Sequence, residues 1–180
     1  MDAVRQEKIY TIENIYALPD GERAELLDGK IYYMAPPTTE HQRLVKNFLY
    51  QIEDYIREHK GSCEVFPAPF AVFLNGDEKN YVEPDLSVIC DKDKITEKGC
   101  NGAPDWIIEV VFPGSRKIDY HKKLFKYRTA GVREYWIVDP EKKRITVYDF
   151  EKELTDEYVF CEDVPVGIYE GLSIKTDATR

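Results

Sequence analysis

Two short apolar runs, each interrupted by a carboxylate, constrain this chain more than anything else in it. The first is Tyr81 to Cys90, apolar apart from Glu83, Asp85 and Ser87. The second is Asp105 to Phe112, apolar apart from its start and Glu109, and stopped by Pro113-Gly114. Runs of this length and composition read as strands buried in a sheet. A helical pattern follows the second run from Tyr120 to Thr129 and closes at Ala130-Gly131. Another strand follows, Glu134 to Val138. The stretch from Asp105 through the helix to Glu134 has the length of a βαβ crossover, so its two strands are expected to be parallel.

The rest of the chain adds to that unit. Thr11 to Leu18 reads as a short helix stopped by Pro19. Arg23 to Leu27 and Lys30 to Met34 flank Asp28-Gly29, the two-residue turn of a β-hairpin in which both residues take positive φ. Alternation puts Arg23, Glu25 and Leu27 on one face of its first strand. Thr39 to Glu58 carries His41, Leu44, Val45, Phe48, Leu49, Ile52, Tyr55 and Ile56 at helical spacing, with Thr39 and Gln42 as a capping box. Val65 to Leu74 is a strand whose Pro67 and Pro69 suggest an edge or a bulge. Asp91 to Gly102 reads as a loop with one helical turn. Arg144 to Phe150 is a further strand, and the tail after Tyr158 is weakly β-like. The order predicts an α/β fold with a mixed sheet and helices packed on it.

Length and composition set the class. The 180 residues suit one domain spanning 1–180, and 43% hydrophobic with 33% charged residues is an ordinary globular composition. A chain of this size buries about 70% of its unfolded surface, enough to need no disulfide. Cys63, Cys90, Cys100 and Cys161 form no C-x-x-C pair and no zinc spacing, so four reduced cysteines in a cytoplasmic protein are expected, with Cys90 as a core thiol. Met1 to Tyr10 has no apolar stretch of a signal peptide, and no run approaches the roughly 20 residues of a membrane span. Thirteen tyrosines suggest half-buried sheet faces and a surface that permits a homodimer. The net charge of −9 argues against a protein that coats nucleic acid. A local basic stretch from Arg116 to Arg128 remains, with Arg116, Lys117, Lys122, Lys123, Lys126 and Arg128 against Asp119.

The interrupting carboxylates are where charge is expensive. Asp85 and Glu109 are either strand-end residues, members of buried ion pairs, or a pair facing one cleft. In the last case their repulsion at about 4 Å is on the order of 4 kcal/mol at an effective dielectric of 20. A divalent cation removes that cost, and oxygen ligands suit Mg²⁺ or Mn²⁺. Lys123 lies about 60° from Tyr120 on a helical wheel, on the side of the Tyr120, Leu124 and Tyr127 stripe, whereas Lys122 and Lys126 point away. It is the lysine directed at the sheet, either as a snorkelling stem or as an ammonium that holds a water or developing phosphorane charge. His41, in phase with its helix's apolar stripe, either packs locally or touches substrate phosphate. Glu25, on one face of the hairpin's first strand, reads by itself as a surface residue.

The residues in order then show a likeness. Glu25-Leu26-Leu27-Asp28-Gly29-Lys30, His41, Val82-Glu83-Pro84-Asp85, Pro104 to Val110, Lys123 to Tyr127 and Ala130 to Pro140 together resemble the bacterial Uma-two family of restriction endonucleases, within the PD-(D/E)XK class. The likeness runs from about residue 10 to 175. It implies a restriction-endonuclease-like core with flanking helices and an N-terminal β-hairpin, and Mg²⁺-dependent hydrolysis of phosphodiester bonds in DNA. It implies Asp85 and Glu109 as metal ligands, the Val110 carbonyl as a third, and Glu25 as an accessory acid. The position of the motif lysine after Glu109 is Val111 here, a role the family shifts to the following helix, where this chain has Lys123. Where the family carries Ser-Pro after the acidic strand, this chain has Phe112-Pro113. Arg116, Lys117 and Lys122 are expected at the phosphate backbone, with His41. The competing reading is an inactive module on the same scaffold that binds nucleic acid or a protein.

Overall fold

In the computed structural model, residues 8–176 are described. The expectation for Met1 to Tyr10 therefore lies mostly outside the described residues. In chain order the elements are α1 (Ile12–Tyr16), β1 (Ala24–Leu27), β2 (Lys30–Tyr33), α2 (Thr39–Glu58), β3 (Glu64–Pro67), β4 (Val72–Phe73) and β5 (Leu86–Ile89). There follow β6 (Ile95–Thr96), β7 (Gly99–Asn101), β8 (Trp106–Val110), a π-helical segment Ile118–Lys123, α3 (Leu124–Ala130), β9 (Glu134–Asp139), β10 (Arg144–Asp149), β11 (Leu154–Val159), β12 (Asp163–Pro165) and β13 (Ser173–Lys175).

The main sheet has the order β11-β10-β9-β8-β5-β3. Its β8 and β9 run parallel, Trp106 opposite Glu134 and Val110 opposite Val138, as the crossover requires. The other neighbours are antiparallel. One face packs against α2, where Leu44, Val45, Phe48, Ile52 and Ile56 meet Leu86, Val88, Trp106, Ile108, Val110, Trp136 and Val138. Burial of each such side chain contributes roughly 1.5–3 kcal/mol, so this seam anchors the layer. On the other face Ile89, Ile107, Val111, Tyr135 and Ile137 meet Tyr127 of α3 and Leu27 of the hairpin. Strand alternation therefore sends Glu109, between Ile108 and Val110, to the α3 side.

The turn at Asp28-Gly29 has φ of 51° and 73°, as a two-residue hairpin needs. All four residues of β1 are buried rather than alternating. One side is covered by the bridge to Tyr81, and the far side by α1 packing through Ile15. The strand expected from Tyr81 to Cys90 is confined to β5. Pro84 has no N–H to give a ladder, and the Glu83 amide donates to Glu25 Oε1 at 3.1 Å instead. Tyr81 and Val82 make only isolated bridges, to Leu26 and Val72. The cap of α2 is Thr38, one residue before the expected Thr39, and its hydroxyl accepts from the His41 amide at 3.2 Å. That bond fixes His41 in the first turn. The loop Asp91 to Gly102 contains its helical turn at Lys92–Lys94, and also β6 and β7.

The expectation of four reduced cysteines is corrected. Cys63 and Cys90 form a disulfide, while Cys100 and Cys161 are free. The register explains it: Glu64 pairs with Ile89, so the next residue on each antiparallel strand is a cysteine facing its partner. Among the described residues no helix is long and apolar enough to cross a membrane.

Candidate active site

Glu109 leaves the middle of the sheet on the α3 side, where Lys123 and Tyr127 wait for it. The Lys123 ammonium lies 2.9 Å from Glu109 Oε1, and the Tyr127 hydroxyl donates to the same oxygen at 2.8 Å. Lys123 also lies 2.7 Å from Glu25 Oε2 and 3.4 Å from Asp119 Oδ1. All five side chains are buried. The helix that carries Asp119 and Lys123 is not a regular α-helix there. Its π segment, Ile118–Lys123, shifts to α-helical pairing at Leu124. Such segments re-aim side chains and recur at functional positions. Here the segment turns Asp119 and Lys123 together into the cleft.

Asp85 sits just before β5. Its Oδ2 accepts from the Val110 amide at 2.8 Å and lies 3.1 Å from His41 Nε2. The Nδ1 of His41 is buried and has no partner among the described residues. These contacts use Oδ2 of Asp85 and Oε1 of Glu109, so the second oxygen of each carboxylate takes none of them. Glu25 does two things: it faces Lys123 through Oε2, and through Oε1 it pins the Glu83 amide, two residues before Asp85. Glu83 itself accepts from Arg23 and from the Tyr81 hydroxyl, so it is a structural carboxylate.

Electrostatics follow from this crowding. Burial pushes the Glu109 carboxyl well above its ordinary range. Lys123 opposes the shift, and Glu25, Asp119 and Asp85 add to it. Burial likewise raises Glu25 against the pull of Lys123. Burial alone would lower Lys123, but Glu109, Glu25 and Asp119 outweigh it and hold the ammonium charged. Three carboxylates thus share one cation, and a fourth, Asp85, is near enough to be felt. The excess negative charge must be met by a proton or by a metal ion.

The donor set fits a hard divalent cation. Its ligands are oxygens, as Mg²⁺ and Mn²⁺ prefer. Among the described residues no three His, Cys, Asp or Glu side chains form a metal cluster. A cation here would be held by Asp85, Glu109, a backbone carbonyl and water, the open coordination usual for Mg²⁺.

A cleft of about 610 Å³ opens over these groups. Glu25, His41, Asp85, Glu109, Val110 and Lys123, all singled out in the sequence, line it together. Asp119 lines it too and was missed, although it stands four residues before Lys123 on the same helix. Tyr127 was placed in an apolar stripe, and its hydroxyl was overlooked. The three basic residues expected at a phosphate backbone do not line the cleft. Arg116 makes a two-pronged bond to Asp139, at 2.7 Å for each prong, and a third to Glu141. Lys122 donates to the Tyr32 hydroxyl and lies over its ring. Lys117 is exposed and in no ion pair among the described residues.

Comparison with known proteins places this geometry. A family model described as "Uma2: Putative restriction endonuclease" matches residues 11–170. The chain belongs to the Uma2 family. A solved "putative nuclease belonging to DUF820" from Anabaena variabilis ATCC 29413 has the same fold, with a TM-score of 0.71 at 22% identity. The match covers 88% of this chain and 89% of that one. No curated protein matches this chain. The Uma2 assignment and the shared fold agree with the mixed sheet and hairpin described above.

Proposed function

We propose that this Uma2 chain is a divalent-metal-dependent endonuclease that hydrolyses phosphodiester bonds in DNA. The observation that carries the reading is the convergence of Asp85, Glu109 and Lys123 on one cleft, with excess negative charge around a single ammonium. Asp85 and Glu109, with the Val110 carbonyl, would hold Mg²⁺ or Mn²⁺. A cation bound there supplies Lewis acidity to a phosphate oxygen and lowers the pKa of a water. Lys123 holds Glu109 in place and sets a fixed positive charge where negative charge develops at phosphorus. Tyr127 and His41 orient the Glu109 and Asp85 carboxylates, as the outer partners of metal ligands do. Glu25 positions Lys123. Within the basic stretch, Lys117 is the described cation left to meet a phosphate backbone.

Cleavage of plasmid and single-stranded DNA with Mg²⁺ or Mn²⁺ tests this, comparing wild type with Asp85→Asn and Lys123→Ala. Loss of at least a hundredfold in both variants is expected. Equal activity in all three proteins would exclude the mechanism. Phe112, where the family carries serine, favours a second reading, a binding module that does no chemistry. Calorimetry separates the two: absence of Mg²⁺ and Mn²⁺ binding at millimolar metal, with DNA binding intact, would support that module.

A further inference from the structure

We propose that the cleft takes an unpaired stretch of nucleic acid, its bases stacked on Phe112 and Tyr33, rather than an intact duplex. This rests on the nuclease reading above and narrows its substrate. Both rings line the cleft and both are exposed, Phe112 by 42% and Tyr33 by 66%. They come from different segments, Tyr33 from the end of the hairpin and Phe112 from the loop after β8.

Phe112 is held in place rather than merely left outside. Its carbonyl accepts from the Ser115 amide at 3.0 Å, and its own amide donates to Ser115 Oγ at 3.2 Å. Its ring lies over Gly114 so closely that a Cβ there would come within 2.8 Å of it. An exposed ring fixed by its own turn, at the mouth of an acidic cleft, is built to receive a flat apolar partner. A nucleobase is such a partner, and the volume of about 610 Å³ suits a nucleotide-sized ligand.

The cations point the same way. A protein that holds a duplex does so through several lysines and arginines free to meet phosphates. Around this cleft four of them are engaged within the protein: Arg23 with Glu83, Arg116 with Asp139, Lys122 with Tyr32 and Lys126 with Asp28. Lys123 is buried among carboxylates. Against a net charge of −9, Lys117 stands, among the described residues, between engaged neighbours rather than in a track of cations. Stacking needs no such track, because every base has a face to offer.

The test is fluorescence anisotropy of a labelled oligonucleotide, single-stranded and as its duplex, with Ca²⁺ to fill an oxygen site. The proteins are wild type, Phe112→Ala, Tyr33→Ala, Phe112→Trp and Asp85→Asn, with Mg²⁺-dependent cleavage measured in parallel. The single strand should bind more tightly than the duplex. Each alanine variant should weaken its binding by about fivefold to a hundredfold, and Phe112→Trp should retain it. Tighter binding of the duplex would overturn the proposal. So would alanine variants that bind the single strand like wild type, and if Asp85→Asn still stops cleavage the nuclease reading survives that result. Failure of every protein to bind metal or cleave either form would overturn both.

Discussion

Removing the ammonium at the centre of the site should reveal how much charge it balances. In Lys123→Met the stem volume is nearly kept, but Glu25, Glu109 and Asp119 lose the cation that lay 2.7, 2.9 and 3.4 Å away. At an effective dielectric of 20 the gross attraction to each is about 5–6 kcal/mol. That sum is never lost in full, because a carboxylate takes up a proton first. Protonating one glutamate of ordinary pKa at pH 7 costs about 3.7 kcal/mol. A loss of about 3–5 kcal/mol is therefore expected at pH 7, the usual cost of breaking a buried pair. The sign of the pH dependence follows. Glu109 already has a raised pKa, and the variant raises it further, so between the two folded values the variant holds a proton that wild type does not. Its stability relative to wild type falls as pH rises through that window, and the deficit should shrink as pH is lowered through it, by up to about 1.4 kcal/mol per pH unit, and level off below it. Urea denaturation in EDTA at a series of pH values measures this, and adding Glu109→Gln should restore part of the loss. A deficit below about 1 kcal/mol, or one that does not change with pH, would refute the picture of three buried carboxylates around one ammonium.

Other perturbations have equally definite outcomes. Asp139→Ala removes the buried acceptor of Arg116 and should lower stability by about 1–2 kcal/mol, less than for a sealed pair because Arg116 keeps Glu141 and water. Burial raises the Asp139 carboxyl, but bonds from Arg116 and the Lys142 amide bring it below the ordinary value. Its contribution is therefore present above pH 4 and lost below it, and wild-type and variant urea midpoints should converge there. Cys63→Ser opens a loop of 27-residue separation and should cost about 3.5 kcal/mol by loop entropy; four free thiols titrated in the oxidised, denatured wild type would show that the bridge is absent. Gly29→Ala should lower the melting temperature by several degrees, because the residue has φ of 73° and the new Cβ would come within 2.6 Å of Ile9. An unchanged melting curve would contradict that packing.

Much of the site could be read from the sequence because charge inside a strand is costly. Asp85 and Glu109 stood out against Leu86 to Ile89 and Trp106 to Val111 for that reason alone. Lys123 stood out through helical phase, although the α-helical wheel was the wrong ruler. The π segment rotates the helix within that stretch, yet Lys123 still reaches Glu109, because one residue of drift remains within reach of a four-carbon stem. Asp119 has no such margin. With a short side chain it reaches the cleft from within the π segment, and its one local signal was the spacing of four residues before Lys123.

The basic stretch shows the opposite failure, and its cause is general. Counting charges along Arg116 to Arg128 measures what is near in sequence, whereas ion pairs form with what is near in space. The acids that engage Arg116 lie at Asp139 and Glu141, beyond the crossover, and those that engage Lys126 and Arg128 lie at Asp28 and Glu153. The βαβ connection that was evident from the start is what brings the end of β9 back beside Arg116. The topology was thus readable while its electrostatic consequence was not. A stretch that looked like a phosphate grip is largely a set of struts, so in the proposed reading the hold on substrate would pass to the carboxylates of the cleft and to the rings at its mouth.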